Sequence, residues 1–258
     1  MYHAVSLQGR GHDRNEDCHV MRDDFVIVAD GMGGECDGDV AARMAVDHIA
    51  RRLSELDFSK LDSEAARHHA LSAINEADRA IEAYMDSHPM SMGMGTTILL
   101  LMLCGDEACI AWCGDSHCYL YDSRGNLRSL TKDHSYVQEL IDDGELTREE
   151  AFTHPDNNMI TRYVGGGDQM CVPEFTSCRL SESDILLLCS DGVSGYCRDE
   201  DIRDCVAAAD AEDLSCLPRE LAELALRHGS EDDITVVVCG GASVRSKKGW
   251  LSRMLHRD

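Results

Sequence analysis

The stretch Phe25-Val26-Ile27-Val28-Ala29-Asp30-Gly31-Met32-Gly33-Gly34 is a run of five apolar residues, then an aspartate, then glycines. A short unbroken apolar run reads as a strand covered on both faces, and the glycines punctuate its end. A carboxylate at the tip of such a strand is held rigidly, and the adjoining glycine lets another group approach the backbone. The arrangement recurs along the chain. Ile110-Ala111-Trp112-Cys113 leads into Gly114-Asp115-Ser116, and Ile185-Leu186-Leu187-Leu188-Cys189 leads into Ser190-Asp191-Gly192. Asp17 stands just before a strand in Asn15-Glu16-Asp17, and Asp232 precedes Ile234-Thr235-Val236-Val237-Val238. One Asp-Gly after a strand is usually a turn. Several such tips converging would instead build an oxygen-rich cage, which suits magnesium or manganese rather than zinc. Two such ions about 4 Å apart can hold a hydroxide and clamp a phosphate for in-line attack.

Outward from these tips, alternation and apolar runs predict strands over 2–7, 19–21 and 25–29. Helical spacing follows over 39–56 and again over 63–85, where Ser63 can cap. Four strands then come in quick succession, over 97–103, 108–113, 118–121 and 127–130. A mixed segment, 133–168, holds two short helical patterns and the run Gly165-Gly166-Gly167. Strands over 172–178 and 185–189, helices over 198–208 and 213–227, and a buried strand over 234–239 complete the pattern. Strands, two helices, many strands, two helices and a last strand suit two packed sheets flanked by helices, an α+β sandwich.

The chain has 258 residues, 43 % of them apolar, and a net charge of −24. That size supports one substantial core, and the charge argues against nucleic acid or an anionic membrane as partner. It would also repel a phosphorylated substrate unless cations neutralise the site. The 13 cysteines include no Cys-x-x-Cys pair and read as reduced core thiols. No signal-peptide pattern follows Met1, and no apolar run is long enough to span a bilayer, so a cytoplasmic protein is expected. The glycines after Asp30 lack the Gly-Lys-Ser/Thr of a nucleotide loop.

Taken together, these segments resemble the protein phosphatase 2C family of metal-dependent (PPM) serine/threonine phosphatases. The matching motifs are Ser6-x-x-Gly9 with Asn15-Glu16-Asp17, Asp30-Gly31-Met32-Gly33-Gly34, Gly95-Thr96-Thr97, Gly114-Asp115-Ser116, Leu130-Thr131-x-Asp133-His134-Ser135, Ile160-Thr161-Arg162, Ser190-Asp191-Gly192 and Asp232-x-Ile234-Thr235. Eight motifs in the family's order are far more specific than any one of them. Met32 looks like the bacterial branch. The resemblance implies a central β-sandwich of two antiparallel sheets with helix pairs on both outer faces, a four-layer αββα fold with the metals at one end. It implies two Mn2+ or Mg2+ ions, with a third possible. Asp30 would bridge both, with the backbone carbonyl of Gly31. Asp191 and Asp232 would hold one ion, Asp17 would sit near the pair partly through water with Glu16 in support, and Asp115 matches the third site. Residues 1–242 would form the phosphatase domain, with a flap at about 133–168. Its partners would be phosphorylated proteins, the targets of a serine/threonine kinase.

Three positions depart from the family pattern. The family usually carries, five residues before the first aspartate, an arginine that contacts the substrate phosphate. Here that residue is His12. Either His12 serves when protonated or Arg10 or Arg14 replaces it, since in an extended stretch residues 10, 12 and 14 point the same way. His117 replaces an arginine and reads as structural. Asp233 replaces an asparagine, either as a charge that tunes the metals or, as the slightly favoured reading, a solvated loop acid. These departures motivate an alternative, a catalytically weak relative acting as a regulatory binding module; a phosphatase for small phosphate esters is a third reading. The basic tail, 243–258, with Trp250, Leu251, Met254 and Leu255 at helical spacing, is expected to fray or to pack on its own body rather than dock on a membrane.

Overall fold

The computed structural model describes residues 2–33 and 37–240. The chain opens with β1 (Tyr2–Leu7), β2 (Asp17–Met21) and β3 (Phe25–Met32), followed by α1 (Gly38–Leu53) and α2 (Ser63–Ser87). Then come β4 (Gly95–Thr96), β5 (Ile98–Cys104), β6 (Glu107–Cys113), β7 (His117–Tyr121) and β8 (Leu127–Ser129). Two short helices, α3 (Tyr136–Asp142) and α4 (Arg148–Phe152), lead to β9 (Glu174–Arg179) and β10 (Ile185–Cys189). The chain then runs through α5 (Asp191–Ser194), α6 (Asp199–Ala208), α7 (Leu217–Arg227) and β11 (Ile234–Gly240).

The strands form two antiparallel sheets, ordered β1-β11-β10-β7-β8 and β2-β3-β5-β6-β9, with β4 added beside β3. Side-chain alternation explains why their sequences are apolar without a break. In β5, Ile98, Leu100 and Met102 face the helices α1 and α2, while Leu99 and Leu101 face the other sheet. In β10, Leu186 and Leu188 face the space between the sheets, while Ile185, Leu187 and Cys189 meet α6 and α7 through Ile202, Val206 and Leu221. Three apolar layers therefore separate four layers of secondary structure, the αββα sandwich. Each large side chain buried in these layers contributes about 1.5–3 kcal/mol.

The element bounds differ from the sequence expectation where side chains compete with the backbone. The cap of α2 is Asp62, whose carboxylate accepts the Ala65 N–H at 2.8 Å, while Ser63 Oγ meets Ser177 Oγ instead. The last helix starts at Leu217 rather than 213. Asp210 and Asp213 accept the N–H groups of Glu212 and Ser215, which favours turns over helix there. Strand β3 runs on past Ala29 because Gly31 and Met32 pair with β4. No described helix is long and apolar enough to cross a membrane. Every cysteine among the described residues is a free thiol, and Cys104, Cys189 and Cys239 are buried as expected. The basic tail expected over 243–258 lies outside the described residues.

Candidate active site

The aspartates singled out from the sequence gather at one end of the sandwich. Asp17 opens β2 and is the cross-strand partner of Asp30 in β3. Asp191 follows β10, Asp232 precedes β11 and Asp115 lies in the β6–β7 turn. Asp30, Gly31, Asp115, Asp191, Asp232 and Glu16 line one cavity of about 770 Å³. A second cleft, of about 510 Å³ around Tyr2, Phe25 and Phe58, shares no residue with it and holds none of these aspartates.

The motif residues between the aspartates hold them in place. The Asp30 N–H donates to Thr97 Oγ1 at 3.0 Å, and the Asp30 carbonyl accepts from the Thr97 N–H at 2.8 Å and Thr96 Oγ1 at 2.9 Å. Thr97 Oγ1 also meets Ser116 Oγ at 2.8 Å, which ties β3 to the turn bearing Asp115. Gly114 in that turn has φ 118°, and a Cβ there would come within 2.6 Å of Thr97, so both backbone and space demand glycine. Asp17 is anchored differently. Its Oδ2 accepts from Ser190 Oγ at 2.9 Å, and Ser190 Oγ accepts the Thr235 N–H at 2.9 Å. Thr235 Oγ1 donates to Ser6 Oγ, which also accepts from Asn15 Nδ2, both at 2.9 Å. Ser6, Asn15, Ser190 and Thr235 thus form one chain of hydrogen bonds ending on a carboxylate.

The electrostatics follow from crowding like charges in a recess. Burial raises the Asp17 carboxyl to about 7 and Asp191 to about 6, with neighbouring carboxylates adding to the rise. Burial, then the nearby carboxylates, push Asp30 and Asp115 well above the ordinary range, and Asp232 is raised by burial too. Oδ1 of Asp17 and Oδ1 of Asp191 are buried without any partner. Such a set is costly as it stands and is satisfied by cations. No trio of His, Cys, Asp or Glu among the described residues already stands in metal-holding geometry. The fit to hard divalent ions therefore rests on the all-oxygen donors, the orphaned oxygens and the like-charge crowding.

The rim differs from expectation. Residues 10–14 turn and bend rather than extend, so Arg10, His12 and Arg14 do not point one way, and only His12 and Arg14 line the cavity. His12 Nδ1 lies 2.9 Å from Asp233 Oδ2, and its Nε2 lies 3.7 Å from Asp232 Oδ1. The hydrogen bond to Asp233 raises the His12 pKa, with burial opposing. His12 thus faces two carboxylates, one in hydrogen-bond contact and one at ion-pair distance. Arg14 is about half exposed and reaches Asp39 at 3.1 Å and Glu16 and Asp37 at 3.6 Å. Asp233 is no solvated loop acid. It is 2 % exposed and accepts the N–H groups of Gly9 and Glu16, each at 2.7 Å.

Sequence reading missed two contributors. Asp133 is gripped by His117 Nε2 at 3.1 Å, and His117 Nδ1 meets the Asp115 carbonyl at 2.9 Å, so His117 ties the Asp115 turn to residue 133. Asp133 stands in a quoted motif, which was the available signal. Asn158 and Ile160, from the expected flap, form another part of the cavity wall. Ile160 stands in the quoted motif Ile160-Thr161-Arg162, while nothing in the local sequence points to Asn158.

Known proteins resemble this chain throughout. The family profile described as Protein phosphatase 2C matches residues 10–223. The serine/threonine protein phosphatase PstP of Mycobacterium tuberculosis is 34 % identical over 241 residues, which are 92 % of this chain but 44 % of that protein. The serine/threonine phosphatase stp of Listeria welshimeri is 35 % identical over 221 residues, 83 % of each chain. The chain thus spans less than half of the mycobacterial relative's length and most of the Listeria one's. The crystal structure of the PstP catalytic domain in complex with 2 manganese ions superposes with a TM-score of 0.79 at 32 % identity, covering 92 % of this chain and 96 % of that one.

Proposed function

Since the chain belongs to the protein phosphatase 2C family, we propose that it is a metal-dependent protein serine/threonine phosphatase of the bacterial type, acting on phosphorylated proteins made by an opposing serine/threonine kinase. The observation that carries this reading is the gathering of Asp30, Asp115, Asp191 and Asp232 on one cavity, with Asp17 paired to Asp30 behind it and buried oxygens of Asp17 and Asp191 left partnerless. The relative with two manganese ions supports Mn2+ or Mg2+ as the cations, two per site; Asp115 would serve a third. Asp30, the Gly31 carbonyl, Asp191 and Asp232 would hold the ions, with Asp17 and Glu16 in support. When bound, the ions supply a water of lowered pKa and the positive charge that neutralises the phosphate dianion.

The chain's own residues do the rest. The Thr96, Thr97 and Ser116 hydroxyls fix the Asp30 backbone and the Asp115 turn. The Ser190 hydroxyl fixes the Asp17 carboxylate. Arg14, a half-exposed residue of the cavity lining, is the cation that we assign to the substrate phosphate. Met32 lines the cavity but carries no proton to give, so the leaving serine or threonine oxygen takes its proton from water. The phosphatase domain spans 1–242, its flap is the segment at about 133–168, and the protein works in the cytoplasm without nucleic acid as partner. Hydrolysis of a phosphothreonine peptide, compared with sugar phosphates and nucleotides at equal Mn2+, tests the substrate class. Preference for the peptide is expected, and faster turnover of a small ester would overturn it.

A further inference from the structure

His12 and Asp233, both departures from the family's usual residues, touch each other at the cavity rim. Asp233 is almost fully buried and already accepts two backbone N–H groups, so it faces His12 as one more acceptor. His12 Nδ1 must then carry the hydrogen, and in the neutral ring this leaves Nε2 as a lone pair. That lone pair faces Asp232 Oδ1 at 3.7 Å, too far for a direct hydrogen bond. A spacing of 3.7 Å is also one at which two donor atoms can bind a single cation side by side. A histidine whose far nitrogen is fixed by a carboxylate is the usual arrangement of an imidazole metal ligand.

We propose that His12 Nε2 joins Asp232 as a ligand of the cation held there, with Asp233 fixing its tautomer, so that this centre prefers a borderline transition ion such as Mn2+ over Mg2+. The inference rests on the reading of Asp232 as a metal ligand. A nitrogen donor favours first-row transition ions, whereas Mg2+ strongly prefers oxygen. The ion displaces any proton from Nε2, as metal binding to histidine requires.

The test is pulsed electron paramagnetic resonance of the Mn2+-loaded chain, with nitrogen modulation read before and after ¹⁵N-histidine labelling, together with Mn2+ and Mg2+ affinities by calorimetry. The wild type should show histidine nitrogen coupling that disappears in His12→Gln and His12→Arg. Mn2+ affinity should fall about tenfold or more in both variants while Mg2+ affinity changes far less. Tight Mn2+ binding without nitrogen coupling, and unchanged by both substitutions, would overturn this inference and leave the phosphatase reading standing. Failure of the wild type to bind Mn2+ at all would overturn both.

Discussion

The cavity has two walls built by different rules. One is made of strand ends: Asp17 and Asp30 are ladder partners, and Asp191 leaves the fully buried strand β10. The other is made of loops, in which His12, Arg14, Asn158 and Ile160 are placed by contacts remote in sequence. The strand wall inherits its rigidity from three apolar layers. The loop wall is rigid only where a buried group such as Asp233 pins it. The strand wall therefore holds Asp17, Asp30 and Asp191, whereas the loop wall presents His12 and Arg14.

Asp233→Ala should have the largest effect on stability. It leaves the Gly9 and Glu16 N–H groups without their acceptor, at about 1–3 kcal/mol each, read as a lowered urea midpoint. A loss under about 0.5 kcal/mol would show that the loop wall is not pinned as described. Thr97→Val removes one hydroxyl that serves both the Asp30 N–H and Ser116. It should cost about 1–3 kcal/mol and weaken Mn2+ binding, since the strand wall would then hold Asp30 less firmly. If Mn2+ affinity is unchanged, the threonine is only a packing element.

The walls also differ in pH response. Asp17 at about 7 and Asp191 at about 6 lie above the ordinary carboxylate value of 3.8. The ion-free folded chain therefore binds more protons than the unfolded chain across this interval. Its stability should fall as pH rises from about 4 to about 7. Ions that take the place of those protons lift the penalty, so the gain in Tm on adding Mn2+ should grow over the same window. A gain independent of pH would place the ions away from these aspartates. The smallest effect is expected at the exposed rim, where Arg14→Ala should raise KM for a phosphopeptide several-fold with little change in Tm. Unchanged KM would remove Arg14 from phosphate binding.

The strand wall was legible because each aspartate there follows or precedes an apolar run whose reading needs no tertiary information. Even the alternation of Leu99 and Leu100 to opposite cores is implicit in an unbroken run that only a double-sided burial explains. The loop wall was not legible in the same way. Ser230-Glu231-Asp232-Asp233 has the composition of a solvated loop, and the burial of Asp233 comes from Gly9, 224 residues away. Local strand geometry suggested one orientation for residues 10, 12 and 14, and the turn after Gly9 removed it. The cap of α2 moved to Asp62 and the start of the last helix to Leu217 for a similar reason, because aspartate side chains captured nearby N–H groups that sequence periodicity does not weigh.

The central claim is that the strand-end aspartates hold the cations that hydrolyse phosphoserine and phosphothreonine. Its most direct test is the initial rate of phosphothreonine-peptide hydrolysis with Mn2+, with chelator, and in Asp30→Asn and Asp191→Asn. Activity should require Mn2+ and fall by about 10²–10³ or more in both variants, each still folded. Turnover that survives chelator or either substitution, or none in a wild type that binds Mn2+ tightly, would contradict it.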